Sequence, residues 1–222
     1  MAGDVSGGGR AITVDVWSDI MCPFCYMGDT LLAQAIERFP HASAVSVRHH
    51  SYQLMPELSR DRPVDLIDLL VEQRGYPRDR VESMHAGITE RAESLGLDYR
   101  LDRAVTVNSR DAHRLSYFAA TGGLQNEMVH RLFRAYFTDG LNIADHSALA
   151  DMAAEIGLDR DEALEALKSG RHDDDVEADL RQARELGISG VPFFVLDGKY
   201  AVSGAQDADV FLKALDTAWG GD

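Results

Sequence analysis

The chain has 222 residues, enough for one compact unit or a small core carrying an insertion, and its 45% hydrophobic and 27% charged content is that of an ordinary globular protein. A formal net charge of -15 opposes binding to a phosphate backbone, which depends on Lys and Arg displacing counterions, so nucleic acid is not an expected partner. No apolar run approaches the roughly 18 to 20 residues of a membrane helix, so no membrane partner is expected either.

The first ten residues are rich in glycine and contain Arg10 but no apolar stretch that could serve as the core of a signal peptide, which predicts a cytoplasmic protein. Ile12 to Trp17 alternates β-branched residues with others and reads as a strand. After Cys22 and Cys25, the residues Leu31, Leu32, Ala35, Ile36 and Phe39 recur at helical spacing. Val45, Val47 and His49 alternate again, so residues 11 to 55 predict a βαβ unit whose helix supplies the long connection that parallel strands need.

From Pro63 the period becomes helical, with Pro63 and Pro77 suited to first-turn positions and with Asn108 or Ser109, Asp145 and Asp159 as caps. Met128, Leu132, Phe133, Tyr136 and Phe137 form one apolar stripe; Leu149, Ala153 and Ile156 form another, which stops at Gly157. Asp173, Asp174 and Asp175 suit the positive end of a helix containing Val176, Leu180 and Ala183, and are not read as a metal site. Beyond Gly187 come an apolar run from Pro192 to Leu196, the hairpin dipeptide Asp197-Gly198, a partner strand from Tyr200 to Ser203, and a helix from Ala208 to Trp219. This order predicts an α/β, thioredoxin-like sheet, residues 11–61 and 187–222, interrupted by an inserted helical domain at residues 62–186.

Cys22 and Cys25 are the only cysteines, too few for the disulfide framework of a secreted mini-domain; in a reducing compartment such a pair is catalytic, redox-sensing or metal-binding. Two cysteines one turn apart at a helix start share a face and can form a disulfide with little backbone movement. Cys22 would lie beside unpaired first-turn amides whose partial charge favours its thiolate, which makes it the expected nucleophile and Cys25 the resolving thiol. Pro23 fits the first helical turn because its missing N–H is not needed there. The competing readings are half of a zinc site, for which no second Cys-x-x-Cys or matched His pair exists, and two buried cysteines without chemistry.

Ser18, Asp19, Cys22, Pro23, Cys25, Tyr26, Gly28, Leu54, Pro56, Asn108, Ala112, His113, Arg114, the run Gly190-Val191-Pro192-Phe193-Phe194 and Ser203-Gly204-Ala205-Gln206 follow one another across nearly the whole chain. In this order they resemble the DsbA-like branch of the thioredoxin superfamily, specifically the FrnE-type proteins associated with polyketide biosynthesis and related to the 2-hydroxychromene-2-carboxylate isomerases. The resemblance implies that Pro192 is cis and faces the cysteines, and that Val191 offers its backbone to bound substrate. Phe24 departs from the Trp common in this branch and the His of strongly oxidising periplasmic relatives, and supplies no positive charge to the Cys22 thiolate. The isomerases typically place Ser at the position of Cys22, so two retained cysteines favour dithiol chemistry.

Pro23, Phe24, Val191 and Pro192 are the expected substrate contacts. The resemblance adds Asn108 and His113, whose plain alternative is a capped helix start with a hydrogen-bonded histidine in its wall. Asp19 is read either as a proton carrier for the pair or as a turn acceptor, and His49 and His50 as a strand residue and its solvent-facing neighbour. The expected function is a thiol-disulfide oxidoreductase or isomerase, monomeric or homodimeric, working through a mixed disulfide on protein or small-molecule thiols and disulfides. It is expected to need no metal and no cofactor besides its redox pair, with glutathione a candidate co-substrate. The alternatives are a glutathione-dependent isomerase or transferase, and a non-catalytic redox-sensing or metal-binding module.

Overall fold

The structure is a computed structural model describing residues 10–221; most of the glycine-rich N-terminal stretch, residues 1–9, lies outside the described residues. Strand β1 (Ile12–Ser18) turns Ile12, Val14 and Val16 to one face, as the two-residue period of a pleated strand dictates, and all three are buried. It runs parallel to β2 (Val45–Ser51), with Ile12 opposite Val45 and Ser18 opposite Ser51, and helix α1 (Pro23–Arg38) makes the crossover.

On its other edge β1 pairs antiparallel with β5 (Phe193–Leu196), which pairs with β6 (Tyr200–Ser203), so the sheet order is β2-β1-β5-β6. The three-residue turn between β5 and β6 has positive φ at Asp197 (50°) and Gly198 (65°), and the Lys199 amide closes it on the Leu196 carbonyl at 3.0 Å. Asp197 also accepts the Thr13 amide at 2.8 Å, fastening the hairpin to β1. Helix α9 (Ala208–Gly220) and α1 cover one face of the sheet, where Leu31, Leu32 and Phe39 pack with Val14, Phe194, Phe211 and Leu215.

Between β2 and β5 the chain forms α2 (Leu66–Asp68), α3 (Arg78–Ser94), α4 (Arg110–Thr121), α5 (Gln125–Arg134), α6 (His146–Glu155), α7 (Arg160–Lys168) and α8 (Asp173–Glu185). The expected caps hold for α6 and α7, where Asp145 accepts the Ala148 amide at 2.9 Å and Asp159 the Glu162 amide at 2.8 Å, and Gly157 turns the chain with φ 93°. Arg114 is buried and donates to the carbonyls of Ala166, Leu167 and Arg171, closing the C-terminal end of α7. No helix among the described residues is long and apolar enough to cross a membrane.

Two local expectations are corrected. Pro63 opens no helix: it leads into β3 (Val64–Asp65), which pairs antiparallel with β4 (Val105–Thr106), because a φ near -65° suits extended backbone as well as a first turn. Pro77 stands just before α3 rather than inside its first turn. Of the two candidates for the start of α4, Asn108 serves, its Oδ1 accepting the Arg110 amide at 3.0 Å, and Ser109 makes no side-chain cap.

The apolar stripe of α5, Met128, Leu132 and Phe133, is buried together with Leu115, Tyr136, Phe137 and Leu149. This core runs without a break into Ile20, Met21, Cys22, Cys25 and Met27, so the start of α1 belongs to the helical core while its later turns belong to the sheet.

Candidate redox site

Cys22 precedes the first turn of α1 in extended conformation (φ -85°, ψ 114°), with Pro23 next, and Cys25 N donates to the Cys22 carbonyl at 3.0 Å. Cys22 makes no capping hydrogen bond, so the partial positive charge of the first-turn amides stays at the helix end that carries its sulfur. Both cysteines are free thiols. Both are buried, Cys22 4% and Cys25 1% exposed, but Cys22 lines a cavity of about 360 Å³ and Cys25 does not. Burial first, then the adjacent Cys22 sulfur, push the Cys25 thiol well above its ordinary range, against the lowering effect of a backbone hydrogen bond at Asp19.

The Val191–Pro192 peptide is cis, as the resemblance implies. The Cys22 thiol donates to the Val191 carbonyl at 3.6 Å, and the Gly204 amide holds the Pro192 carbonyl at 2.8 Å. Pro192 reaches this place across Gly28: a Cβ there would lie 2.9 Å from Pro192 Cγ and 3.1 Å from the Phe194 ring. The two halves of the predicted site, distant in sequence, therefore meet over a glycine of α1.

Behind the pair, Asp19 is fully buried and accepts the amides of Met21 at 3.2 Å and Leu54 at 2.7 Å, while its carbonyl accepts the Cys22 amide at 3.0 Å. Its side chain acts as the turn acceptor. His113 donates to the Tyr52 carbonyl at 3.0 Å and stands 3.6 Å from Asp19. Asn108 uses both ends of its amide: Nδ2 donates to the carbonyls of Pro56 and Leu58, and Oδ1 accepts from Gln53 Nε2 and the Arg110 amide. Neither Asn108 nor His113 lines the cavity beside Cys22; both pin the loop at 52–58 to α4.

The cavity is walled by Met21, Pro23, Phe24, Leu54, Leu66, Leu70, Met84, Ile88, Leu101, Phe137 and Val191, with His85 its titratable member apart from Cys22. Burial lowers the pKa of His85, which keeps it neutral. Phe24, Leu54 and Met84 are exposed at its mouth.

Sequence reading missed Tyr99, whose hydroxyl donates to the Pro23 carbonyl at 2.7 Å while its ring stacks on Phe137 at 4.5 Å. It lies in a connection between α3 and β4 where no periodicity marks it. The reading of His50 as solvent-facing is corrected: Nδ1 meets Asp179 at 2.7 Å, Nε2 meets Asp15 at 2.9 Å, and the ring stacks on Trp17 at 4.4 Å. Burial opposes its charge, but the bonds and charges of Asp179 and Asp15 outweigh burial and raise its pKa. His49 is buried in β2, bonded to Asn126 at 3.1 Å, and burial lowers its pKa. Among the described residues no group of three or more His, Cys, Asp or Glu is arranged to hold a metal.

The sequence pattern of the DSBA-like thioredoxin domain matches residues 13–216. A probable DsbA oxidoreductase from Streptomyces coelicolor superposes with a TM-score of 0.89 at 35% identity, over 95% of this chain and 91% of that one. YwbO, an uncharacterized protein of Bacillus subtilis, is 28% identical over 206 residues, 92% of this chain and 96% of its own. A 2-hydroxychromene-2-carboxylate isomerase shares the fold, with a TM-score of 0.67 at 18% identity over 94% of each chain.

Proposed function

The chain belongs to the family of DSBA-like thioredoxin domains, and from that premise we propose that it is a thiol-disulfide oxidoreductase in which Cys22 attacks and Cys25 resolves through a mixed disulfide. The observation that carries this reading is the inequality of the two thiols: Cys22 borders the cavity at a helix start, and Cys25 lies behind it, held protonated by burial. Attack by Cys22 joins it to one half of a substrate disulfide and releases the other; Cys25 then displaces the bound half and closes the Cys22–Cys25 disulfide. When a second thiol of the substrate does the displacing, the same intermediate reshuffles disulfides.

In this reading Pro23, Phe24 and Val191 touch the substrate, the Val191 carbonyl now facing Cys22 being the backbone that a substrate strand would meet. Pro192 closes the site from above, and Asn108 and His113 position the loop beneath it. Substrates are protein or small-molecule thiols and disulfides, with glutathione a candidate co-substrate. A chain whose only cysteines form one redox pair fits a reducing, cytoplasmic setting.

The test uses the two single variants. Cys25→Ser should accumulate reductant-sensitive adducts and lose insulin reduction, while Cys22→Ser should lose reduction and trap little. Equal trapping by both variants, or insulin reduction by Cys22→Ser, would overturn the assignment.

A further inference from the structure

The cavity beside Cys22 is walled almost entirely by carbon. Of the residues lining its roughly 360 Å³, none is Lys, Arg, Asp or Glu. Arg91 comes near, its guanidinium 5.9 Å from the Phe24 ring, but it donates to the Ala205 carbonyl and does not line the cavity. A neutral apolar cavity of about 150 Å³ already accepts a benzene-sized ring, so this one has room for a ring with its linking atoms. A charged group placed here would lose its water and find no counter-charge.

Resting on the dithiol reading above, we propose that this cavity selects an uncharged apolar arm on the substrate: the enzyme acts on small disulfides bearing aryl or alkyl groups in preference to glutathione disulfide. The aryl arm lies between α3 and the cysteine turn, against Met84, Ile88 and Phe137, which brings its sulfur to Cys22. Glutathione carries two carboxylates and an ammonium, for which the wall offers no charged partner, the His85 imidazole, its pKa lowered by burial, being the single polar side chain there besides Cys22. Reduction of an apolar disulfide then proceeds in two balanced steps. The Cys22 thiolate attacks one substrate sulfur, the S–S bond breaks, and one half leaves as a thiolate that takes a proton from solvent. Cys25 gives up its proton and attacks the Cys22 sulfur, and the second half leaves as a thiol. Both electrons come from the enzyme dithiol, which ends as a disulfide, and dithiothreitol restores it.

The test is a single-turnover reaction of the pre-reduced protein with dibenzyl disulfide, 2-hydroxyethyl disulfide and glutathione disulfide. Each rate constant is divided by that of the same disulfide with free dithiothreitol, which removes intrinsic reactivity. The normalised rate for the benzyl compound should exceed the other two by about tenfold or more, the scale on which apolar pockets discriminate. Met84→Lys, at a position already 46% exposed and so compatible with folding, should shift the benzyl-to-glutathione ratio toward glutathione by about threefold or more. Equal normalised rates, a preference for glutathione disulfide, or an unmoved ratio in the lysine variant would each overturn the inference while leaving the dithiol reading in place. Failure to react with any of the three would remove the dithiol reading itself.

Discussion

Asp179 binds the inserted helices to the sheet, and its removal makes a quantitative prediction. From α8 its carboxylate accepts the Ser51 amide at 2.6 Å, the Tyr117 hydroxyl at 2.5 Å and His50 Nδ1 at 2.7 Å. Asp179→Ala leaves three donors without an acceptor, each costing about 1–3 kcal/mol if water cannot replace it. Because the His50 side chain is 17% exposed, some water will enter, and the expected loss is about 3–5 kcal/mol, the range for breaking a buried ion pair. Urea unfolding followed by circular dichroism measures it. The sign of the pH dependence follows from His50, whose folded-state pKa is raised above the unfolded value of about 6.5. Its contribution is therefore fully present below pH ~6.5 and fades as the pH rises through the folded value. The gap between wild type and Asp179→Ala should accordingly be larger at pH 6 than at pH 9, reduced rather than abolished because Asp15 still faces the imidazole. His85 and His130, whose shifts owe nothing to Asp179 or His50, cancel in the difference. A loss below about 1 kcal/mol, or an equal gap at both pH values, would refute the clamp.

Three further variants probe the site. Gly28→Ala forces a methyl into Pro192 and Phe194 and should destabilise by about 1–3 kcal/mol while slowing insulin reduction; an unchanged melting temperature would contradict the close approach. Tyr99→Phe removes the hydrogen bond to the Pro23 carbonyl, so stability should fall by about 1 kcal/mol and the rate of Cys22 alkylation should change severalfold, an outcome that simple loss of a remote bond would not give. Asn108→Ala abandons two carbonyls and two donors and should cost about 2–4 kcal/mol with Cys22 alkylation within about twofold of wild type; intact stability with lost turnover would instead make Asn108 a substrate contact.

The sheet was legible because its signals are local: β-branched alternation in Ile12–Trp17, an Asp-Gly turn, and apolar spacing through Leu31 and Phe39 each act over a few residues. The cysteine pair was legible for the same reason, its spacing being a property of one helical turn. The proline opposite it needed the family resemblance, since nothing within Gly187–Val195 distinguishes cis from trans. What escaped notice depends on partners far along the chain. His50 looks like an exposed strand residue until α8 brings Asp179 to it, and Tyr99 is one aromatic in an unpatterned loop until the helical core sets its hydroxyl against Pro23. Two-residue strands such as β3 and β4 carry too few positions to show a period at all.

The place of β1 in the sheet has a consequence for biosynthesis. Its partner on one side, β2, emerges from the ribosome soon after it, but its partner on the other, β5, follows only after all the helices from α2 to α8; the Thr13–Asp197 bond spans 184 positions. Until then β1 presents an open hydrogen-bonding edge, the kind of surface that recruits other strands into aggregates. Helices assemble from local contacts and nascent chains fold from the N-terminus, so the inserted helices can collapse first and shorten the gap that β5 must close. A nascent chain arrested just short of residue 187 would therefore hold both thiols and their helical wall but neither Val191, whose carbonyl meets the Cys22 thiol, nor the strand that protects β1. Oxidants and neighbouring chains have their best access to the cysteines during that interval, before the last hairpin docks.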